Sequence, residues 1–236
     1  MSEESKLVLP KVYEATQEKY KKYNGLPKLS YSQIGSFTDP LYKNDYIRQY
    51  FFGERQEGGI FAIYGTACGQ FFETGGEVRS ELLSDFDVEV LNKLPRPESA
   101  QYEYEIVVEL ETEEGTLCVQ GFVDQLVIEG NDATVIDLKS GNASKKVEYY
   151  GGDEYQQTTL YSYHIESEGY NIKESKVLLV SRKGNGFSKY PLRLDGPIIE
   201  IPTPYSRDRA EQYFNKVRKT AKEISDLYKV YLKVNK

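Results

Sequence analysis

The most regular alternation of apolar and polar residues lies between positions 103 and 139, where it predicts three consecutive antiparallel strands. The alternation breaks first at Glu113-Glu114-Gly115 and again at Glu129-Gly130-Asn131-Asp132. Glycine and asparagine between two apolar runs are typical of tight hairpin turns. The pattern therefore predicts a three-stranded meander, with the apolar runs FVDQLVI and ATVIDLK in its second and third strands.

Apolar residues spaced three and four apart predict helices on both sides of this meander. The predicted helices run from Ser30 to Phe37, Tyr42 to Phe52, Ile60 to Glu77, Ser84 to Leu94, Asp153 to Glu168 and Ser206 to Val234. A buried strand is predicted over VLLVS at 177–181, with GFSKYPLRL after the Lys183–Gly186 turn as its hairpin partner. The stretch that contains Lys145, Lys146 and Gly151-Gly152 is predicted to be a loop. Together these elements predict an α+β fold with a central mixed β-sheet flanked by α-helices.

The first 28 residues differ in composition from the rest of the chain. They mix charged residues with tyrosine, and we expect an N-terminal arm with a short amphipathic helix over VYEATQEKYKKY. Residues 29–236 are predicted to form a single domain that ends in a basic amphipathic helix. From Arg207 onward the chain carries nine Lys or Arg residues against four Asp or Glu residues. A solvated helix face and a face that contacts nucleic-acid phosphates both fit that pattern.

Composition argues against several functional classes. Two cysteines, Cys68 and Cys118, are too few for a disulfide framework or a four-cysteine iron–sulphur cluster. His164 is the single histidine, so catalysis based on histidine is not expected. The chain has no apolar signal segment and no run of about 20 apolar residues, so we expect a cytoplasmic protein that does not enter a membrane. The formal charge of −7 argues against indiscriminate adsorption to nucleic acid.

Two aspartates and a lysine are expected to share one face of the second hairpin. If Gly130 and Asn131 form the turn, Asp124 stands directly opposite Asp137, and like charges at such positions destabilise a sheet by up to about 1 kcal/mol. A divalent cation such as Mg²⁺ would offset this repulsion. Strand alternation places Lys139 on the same face as Asp137. Such a set suits phosphodiester hydrolysis, in which a metal ion activates water and a lysine stabilises developing negative charge.

These motifs resemble those of the PD-(D/E)XK nuclease superfamily, and in particular of its RecB-like branch. GFVDQ matches the family's Gly-x-x-Asp element at Asp124, and IDLKSG at 136–141 matches its hydrophobic-Asp-x-Lys-[ST]-Gly signature. Gln157 and Tyr161 match a Gln-x-x-x-Tyr element that this branch carries on the following helix. The opening stretch LSYSQIGSFTDP also resembles the branch, with Asp39-Pro40 in place of Cys-Pro. The resemblance covers roughly residues 29–195.

The predicted helix upstream of the meander departs from the family pattern at one position. YGTACGQFFE at 64–73 resembles the helix-opening Gly-Thr-x-x-His-x-x-x-Glu element, but Gly69 stands where many members carry histidine. Glu73 is therefore the candidate metal ligand on this helix. It lies four residues beyond Gly69 and hence on the same helical face.

The resemblance implies a restriction-endonuclease-like core and metal-dependent DNA hydrolysis of an exonuclease or DNA-processing type. The metal ligands that it implies, for Mg²⁺ or Mn²⁺, are Glu73, Asp124, Asp137 and the backbone carbonyl of Leu138. Lys139 would act on the attacking water, and Gln157 and Tyr161 would position the site or the DNA strand. DNA and replication or recombination proteins are the expected partners. A compact nuclease of this kind suits a phage, in which case it would act in the host cytoplasm.

Two other interpretations fit the same sequence. The glycine at position 69 is also consistent with a catalytically inactive nuclease fold that binds DNA or serves as a scaffold. A structural domain with a coincidental Asp-x-Lys triplet is the other interpretation, and it predicts that replacing Asp137 relieves repulsion. Seven glutamates between Glu98 and Glu114 are expected to form the solvated face of an outer strand, and Glu109 is the one worth testing as a metal ligand.

Overall fold

Six β-strands and seven α-helices are formed by the residues that the computed structural model describes, which are 6–10, 26–54, 58–185, 189 and 191–235. The chain divides into two units. The first unit comprises Met1–Glu57, Val107–Gly121 and Glu211–Lys236, and the second comprises Gly58–Ile106 and Phe122–Ala210. The helix predicted over VYEATQEKYKKY lies outside the described residues.

The strands form one mixed sheet. They are β1 (Lys28–Ser30), β2 (Ala100–Thr112), β3 (Gly115–Glu129), β4 (Asp132–Gly141), β5 (Asn171–Lys183) and β6 (Arg193–Pro202). The order across the sheet is β1-β3-β4-β5-β6, and β2 also pairs with β3. β1 is parallel to β3 and β4 is parallel to β5, whereas β3 with β4 and β5 with β6 are antiparallel. The predicted meander and the predicted α+β class are therefore confirmed.

The β3–β4 hairpin has the predicted turn and the predicted register. Gly130 and Asn131 form the turn, and Gly130 has a φ of 63°, a conformation that glycine adopts without steric cost. The paired residues run from Glu129 with Asp132 to Gln125 with Ile136. The last backbone pair is Gln125 with Ile136, one residue before the predicted facing pair of Asp124 and Asp137, which stays a prediction.

The helices are α1 (Tyr31–Thr38), α2 (Lys43–Tyr50), α3 (Ile60–Glu73), α4 (Asp85–Leu91), α5 (Ala143–Gly151), α6 (Gln157–Ser167) and α7 (Arg207–Val234). Both α1 and α4 begin with a capping box, in which a serine side chain accepts from the third helical residue and that residue's side chain accepts from the serine backbone. Ser30 and Ser84 are these capping residues. Within the described ranges no helix is long and apolar enough to cross a membrane.

Several boundaries differ from those predicted, among them the start of α6, which is Gln157 and not Asp153. The stretch with Lys145 and Lys146 forms α5 rather than a loop, and the strand that pairs with β5 begins at Arg193, so that most of GFSKYPLRL precedes it. α3 ends at Glu73 instead of position 77, because Gly75 and Gly76 adopt φ values of 65° and 90°, which a right-handed helix cannot contain.

A layer of α3 and α4 side chains packs on the sheet to form the core of the second unit. Its most deeply buried members include Tyr64, Phe72, Leu91, Leu178 and Leu194. Burial of this size fixes α3 against the sheet, since a fully buried large apolar side chain contributes about 1.5–3 kcal/mol. The face of α3 that carries Glu73 is thereby held against the sheet, next to β4.

In the first unit, α7 shows the predicted amphipathic pattern. Its apolar residues Phe214, Val217, Ala221 and Ile224 are all fully buried, at alternating spacings of three and four.

Candidate active site

A cavity of about 490 Å³ lies within the second unit, between α3 and the strands that carry the predicted site residues. The lining residues from α3 are Phe61, Gly65, Thr66, Gly69, Gln70 and Glu73. Those from the strands are Glu103 in β2, Asp124 in β3, and Leu138, Lys139 and Ser140 in β4. The structure thus brings four residues predicted from the sequence to one cavity: Glu73, Asp124, Leu138 and Lys139.

One face of α3 forms a wall of this cavity because of its four-residue spacing. Phe61, Gly65, Gly69 and Glu73 follow one another at intervals of four and so lie on one stripe. α3 lies near β4 at Gly65, where a Cβ built on the glycine would be in ordinary van der Waals contact with Ser140 Oγ at 3.5 Å. Without a histidine at position 69, Glu73 reaches this space, and a Cβ added at Gly69 would lie 3.1 Å from its Oε1.

Three carboxylates converge at one end of the cavity. Glu73, Glu103 and Asp124 each offer an oxygen atom, and these oxygens all lie within 4.8 Å of one another. Burial, together with the charge of Glu103, raises the pKa of Glu73 to about 7. Burial and the charge of Asp137 raise the pKa of Asp124 above its ordinary value. The acids thus repel one another, and hard oxygen ligands in this number fit Mg²⁺ or Mn²⁺.

Asp124 is oriented by the neighbouring strand. Its Oδ2 accepts a hydrogen bond from the backbone N–H of Leu138 at 2.5 Å. That bond links β3 to β4 just beyond the last backbone pair of the hairpin, Gln125 with Ile136. The carboxylate is therefore held in place by the sheet.

Asp137 lies behind the cavity and is fully buried. Lys139 Nζ lies 2.7 Å from Asp137 Oδ1 and 2.6 Å from Oδ2, and the Tyr155 hydroxyl donates to Oδ2 at 2.6 Å. Burial alone would lower the pKa of Lys139, but the charges of Asp137 and Asp124 raise it above its ordinary value. Lys139 therefore stays protonated, with 26% of its side chain exposed at the cavity.

A chain of polar side chains continues from Asp137 into the protein. The Tyr155 hydroxyl also lies 3.1 Å from Gln157 Oε1, and Gln157 Nε2 donates to the Tyr161 hydroxyl. Tyr161 is buried, and burial with the charge of Asp137 raises its pKa well above the ordinary value. Gln157 and Tyr161 thus support Asp137 and do not line the cavity.

Two residues of this site were not identified from the sequence. Glu103 was predicted to belong to a solvated strand face, and Glu109, which was preferred for testing, is not among the cavity residues. The only signal for Glu103 was its place in an acidic run, which does not distinguish one glutamate from another. Tyr155 lies just before α6 and outside its helical spacing, so no pattern connected it with Asp137.

A comparison with protein families matches residues 74–230 to the PD-(D/E)XK nuclease superfamily. Because the match covers more than half of the chain, the protein belongs to this superfamily. The match begins one residue after Glu73 and includes Asp124, Asp137 and Lys139. The family predicted from the motifs is confirmed, and the sheet with flanking helices is its α+β fold.

Solved structures include a similar chain described as the crystal structure of SSO0001. It is 13% identical in sequence, has a TM-score of 0.44, and the alignment covers 85% of this chain and 80% of the other. A comparison with curated proteins finds no match.

Proposed function

We propose that this protein is a metal-dependent deoxyribonuclease that hydrolyses phosphodiester bonds with Mg²⁺ or Mn²⁺. One observation supports this most directly. Three carboxylates, Glu73, Glu103 and Asp124, face a single cavity in which Lys139 supplies a charged ammonium group. The combination suits a phosphate substrate, because the acids can hold a cation and the ammonium can contact phosphate oxygens.

The proposed metal ligands are the carboxylates of Glu73, Glu103 and Asp124 and the backbone carbonyl of Leu138. A divalent cation held there stabilises negative charge on a phosphate and makes water more acidic. Asp137 was predicted as a further ligand from the sequence, and that role stays a prediction. Its hydrogen bonds support a second role, as the anchor of Lys139.

Lys139 is proposed to hold the attacking water or to stabilise the charge that develops on the phosphate. Both oxygens of Asp137 lie within 2.7 Å of its ammonium nitrogen, which fixes the direction of the side chain. Tyr155 holds Asp137, and Gln157 and Tyr161 hold the polar chain behind it. These residues are therefore proposed to position Lys139 rather than to contact DNA.

Finer parts of the proposal rest on the motifs alone. They are membership of the RecB-like branch, an exonuclease or DNA-processing activity, a phage origin, action in the cytoplasm, and association with replication or recombination proteins. A single nuclease domain over residues 29–236 also stays a prediction.

A catalytically inactive fold that binds DNA is the second candidate function. The glycine at position 69 supports it, since a ligand that many relatives use is missing there. Glu103 weakens this argument, because it brings an additional carboxylate to the same acidic cluster.

Cleavage assays on linear and circular DNA, both single- and double-stranded, test the proposed activity. We expect cleavage in Mg²⁺ or Mn²⁺, none with EDTA, and loss of cleavage in Asp124→Asn. Circular substrates separate internal from terminal cleavage. Equal activity in the variant would contradict the site. DNA binding without cleavage in either metal would instead support the inactive alternative.

A further inference from the structure

An exposed aromatic residue stands at the opposite end of the cavity wall from the acids. Phe61 lines the cavity, yet 48% of it is exposed. It lies twelve residues before Glu73 on the same stripe of α3, which corresponds to about 18 Å along the helix axis. A large apolar ring half exposed at the entrance of a polar cavity is not accounted for by core packing.

Arg182 covers one face of this ring. Its guanidinium carbon lies 4.5 Å from the centre of the Phe61 ring, within the range of a cation–π contact. Since one face is covered, the opposite face and the edge contribute the exposed half of the side chain. The ring is therefore held in a fixed orientation with a face available for stacking.

The guanidinium of Arg182 has donors without protein acceptors. Its Nε and Nη1 atoms are buried and make no hydrogen bond within the described part of the chain. Burial of the charge lowers the pKa of Arg182. Because these two atoms have no access to the cavity, Arg182 contributes through the charge that it places against the Phe61 ring and not through a hydrogen bond from Nε or Nη1 to a ligand. Arg182 follows Ser181, which pairs with Gly141 directly after the cavity residue Ser140.

Two positions of this stripe between Phe61 and Glu73 carry no side chain. Gly65 and Gly69 both lie on this stripe and both line the cavity. A glycine inside a helix is less favourable than an alanine, so two glycines on one face favour a role for the bare helix surface. At Gly69 the helix backbone itself forms the cavity surface, and only Glu73 lies within 4 Å of a Cβ built there.

We propose that this face of α3 binds one unpaired DNA strand, with a base stacked on the face of the Phe61 ring that Arg182 leaves open. The strand then runs past Gly65 and Gly69 toward the acids, so that the scissile phosphate lies near Glu73, Glu103 and Asp124. A base within a duplex has both faces stacked on its neighbours and therefore cannot stack on the Phe61 ring. The inference rests on the proposed nuclease function and deepens it, since it assigns single-stranded DNA, or a frayed end, as the bound form.

Binding of fluorescently labelled oligodeoxythymidine in EDTA tests this inference without cleavage. Stacking of a base on an aromatic side chain contributes about 1–3 kcal/mol, so Phe61→Ala should weaken single-strand binding by about 5- to 140-fold. Phe61→Trp should retain or increase the affinity. Phe86→Ala is the matched control, because Phe86 is 49% exposed on α4 and does not line the cavity.

Arg182→Gln should also weaken single-strand binding, because the Phe61 ring then loses the cation that packs on its other face. Binding of blunt duplex should change little in either variant. Phe61→Ala binding that equals that of Phe86→Ala would overturn the inference, as would an equal loss for blunt duplex. If Phe61→Ala binds single strands as the wild type does and still cleaves DNA, the proposed nuclease function stands. Only the assignment of a single strand to this face of α3 is then wrong. If the wild type neither binds nor cleaves any DNA, the proposed function fails as well.

Discussion

Glu103 illustrates how a single backbone conformation can place a functional group. Its φ of 51° is the one positive value among the described residues other than glycine, and it occurs inside strand β2. Such a conformation costs on the order of 1–3 kcal/mol and is found mostly at functional sites. Here it accompanies a carboxylate that lies within 4.8 Å of the oxygens of Glu73 and Asp124.

Replacing Glu103 by glutamine tests its proposed role as a ligand. We expect Mn²⁺ affinity to fall by at least about 10-fold, because one charged oxygen ligand is lost while the side-chain shape is kept. Isothermal titration calorimetry measures this change. Glu109→Gln provides the control, since Glu109 is also an exposed glutamate of β2 and lies away from the cavity. Equal metal affinities of the two variants would show that Glu103 is not a ligand.

The sequence and the structure give opposite predictions for the stability of Asp137→Ala. On the sequence alone, its removal relieves repulsion from Asp124 and leaves the protein as stable as before. In the structure its carboxylate binds both Lys139 and Tyr155. Breaking a buried ion pair by removing one partner costs about 3–5 kcal/mol, and we expect a loss approaching this range for Asp137→Ala.

Urea denaturation of Asp137→Ala measures that loss as a change in the free energy of unfolding. Asp132→Ala serves as control, because Asp132 is exposed at the start of the same strand and should change stability by no more than about 0.5 kcal/mol. A stability of Asp137→Ala equal to or above that of the wild type would mean that repulsion between the aspartates dominates.

At the scale of elements, two oppositely charged runs that are far apart in sequence meet in the first unit. Glu114, at the turn between β2 and β3, pairs with Lys222 at 3.4 Å and with Lys229 at 3.0 Å, both on α7. Arg218 of the same helix donates to the backbone carbonyl of Glu111. Part of the basic face of α7 is thus used within the protein, which favours a structural role for it over phosphate contacts.

α5 shows why a short helix was predicted as a loop. The Asn142 side chain does not cap its nine residues, and a pair of glycines such as Gly151-Gly152 is typical of loops and not of helices. The helix is held instead by tertiary contacts, since the rings of Tyr149 and Tyr150 lie 5.9 and 5.0 Å from that of Tyr155. Tyr155 also binds Asp137, so α5 packs against a residue of the site.

At the scale of the whole molecule, the acidic site links stability to pH. In the cation-free protein, burial and neighbouring acids raise the pKa of Glu73 to about 7 and also raise that of Asp124. The unfolded chain releases these protons near pH 4, so the folded state binds more protons between about pH 4 and pH 7. The acids are most favourable to folding below this window, and their contribution is lost as pH rises through it.

We therefore expect thermal stability in EDTA to fall from pH 5 to pH 8 by more in the wild type than in Glu73→Gln. Added Mn²⁺ should raise the melting temperature more at pH 8 than at pH 5, because the ionised acids bind the cation and the protonated acids do not. Differential scanning fluorimetry at both pH values gives the comparison. Identical pH profiles for the two proteins would show that Glu73 does not titrate in this range.

Local sequence determined the features that depend on neighbours along the chain. The Gly130-Asn131 turn set the β3–β4 register from Glu129 with Asp132 to Gln125 with Ile136, because a two-residue turn leaves one pairing for the strands it joins. The four-residue spacing on α3 likewise placed Glu73 on the face of Gly69. Motif order along the chain was enough to identify the superfamily.

Tertiary structure alone decided which groups meet across the sheet. Glu103 reaches the acids through an unusual backbone angle, Tyr155 reaches Asp137 from outside a helix, and Arg182 reaches Phe61 from another strand. None of these contacts follows a local period, since each joins residues that are distant in sequence or conformationally irregular. The distinction between a carboxylate that faces the cavity and one that anchors a lysine likewise depends on burial, and burial is fixed only when the chain has folded.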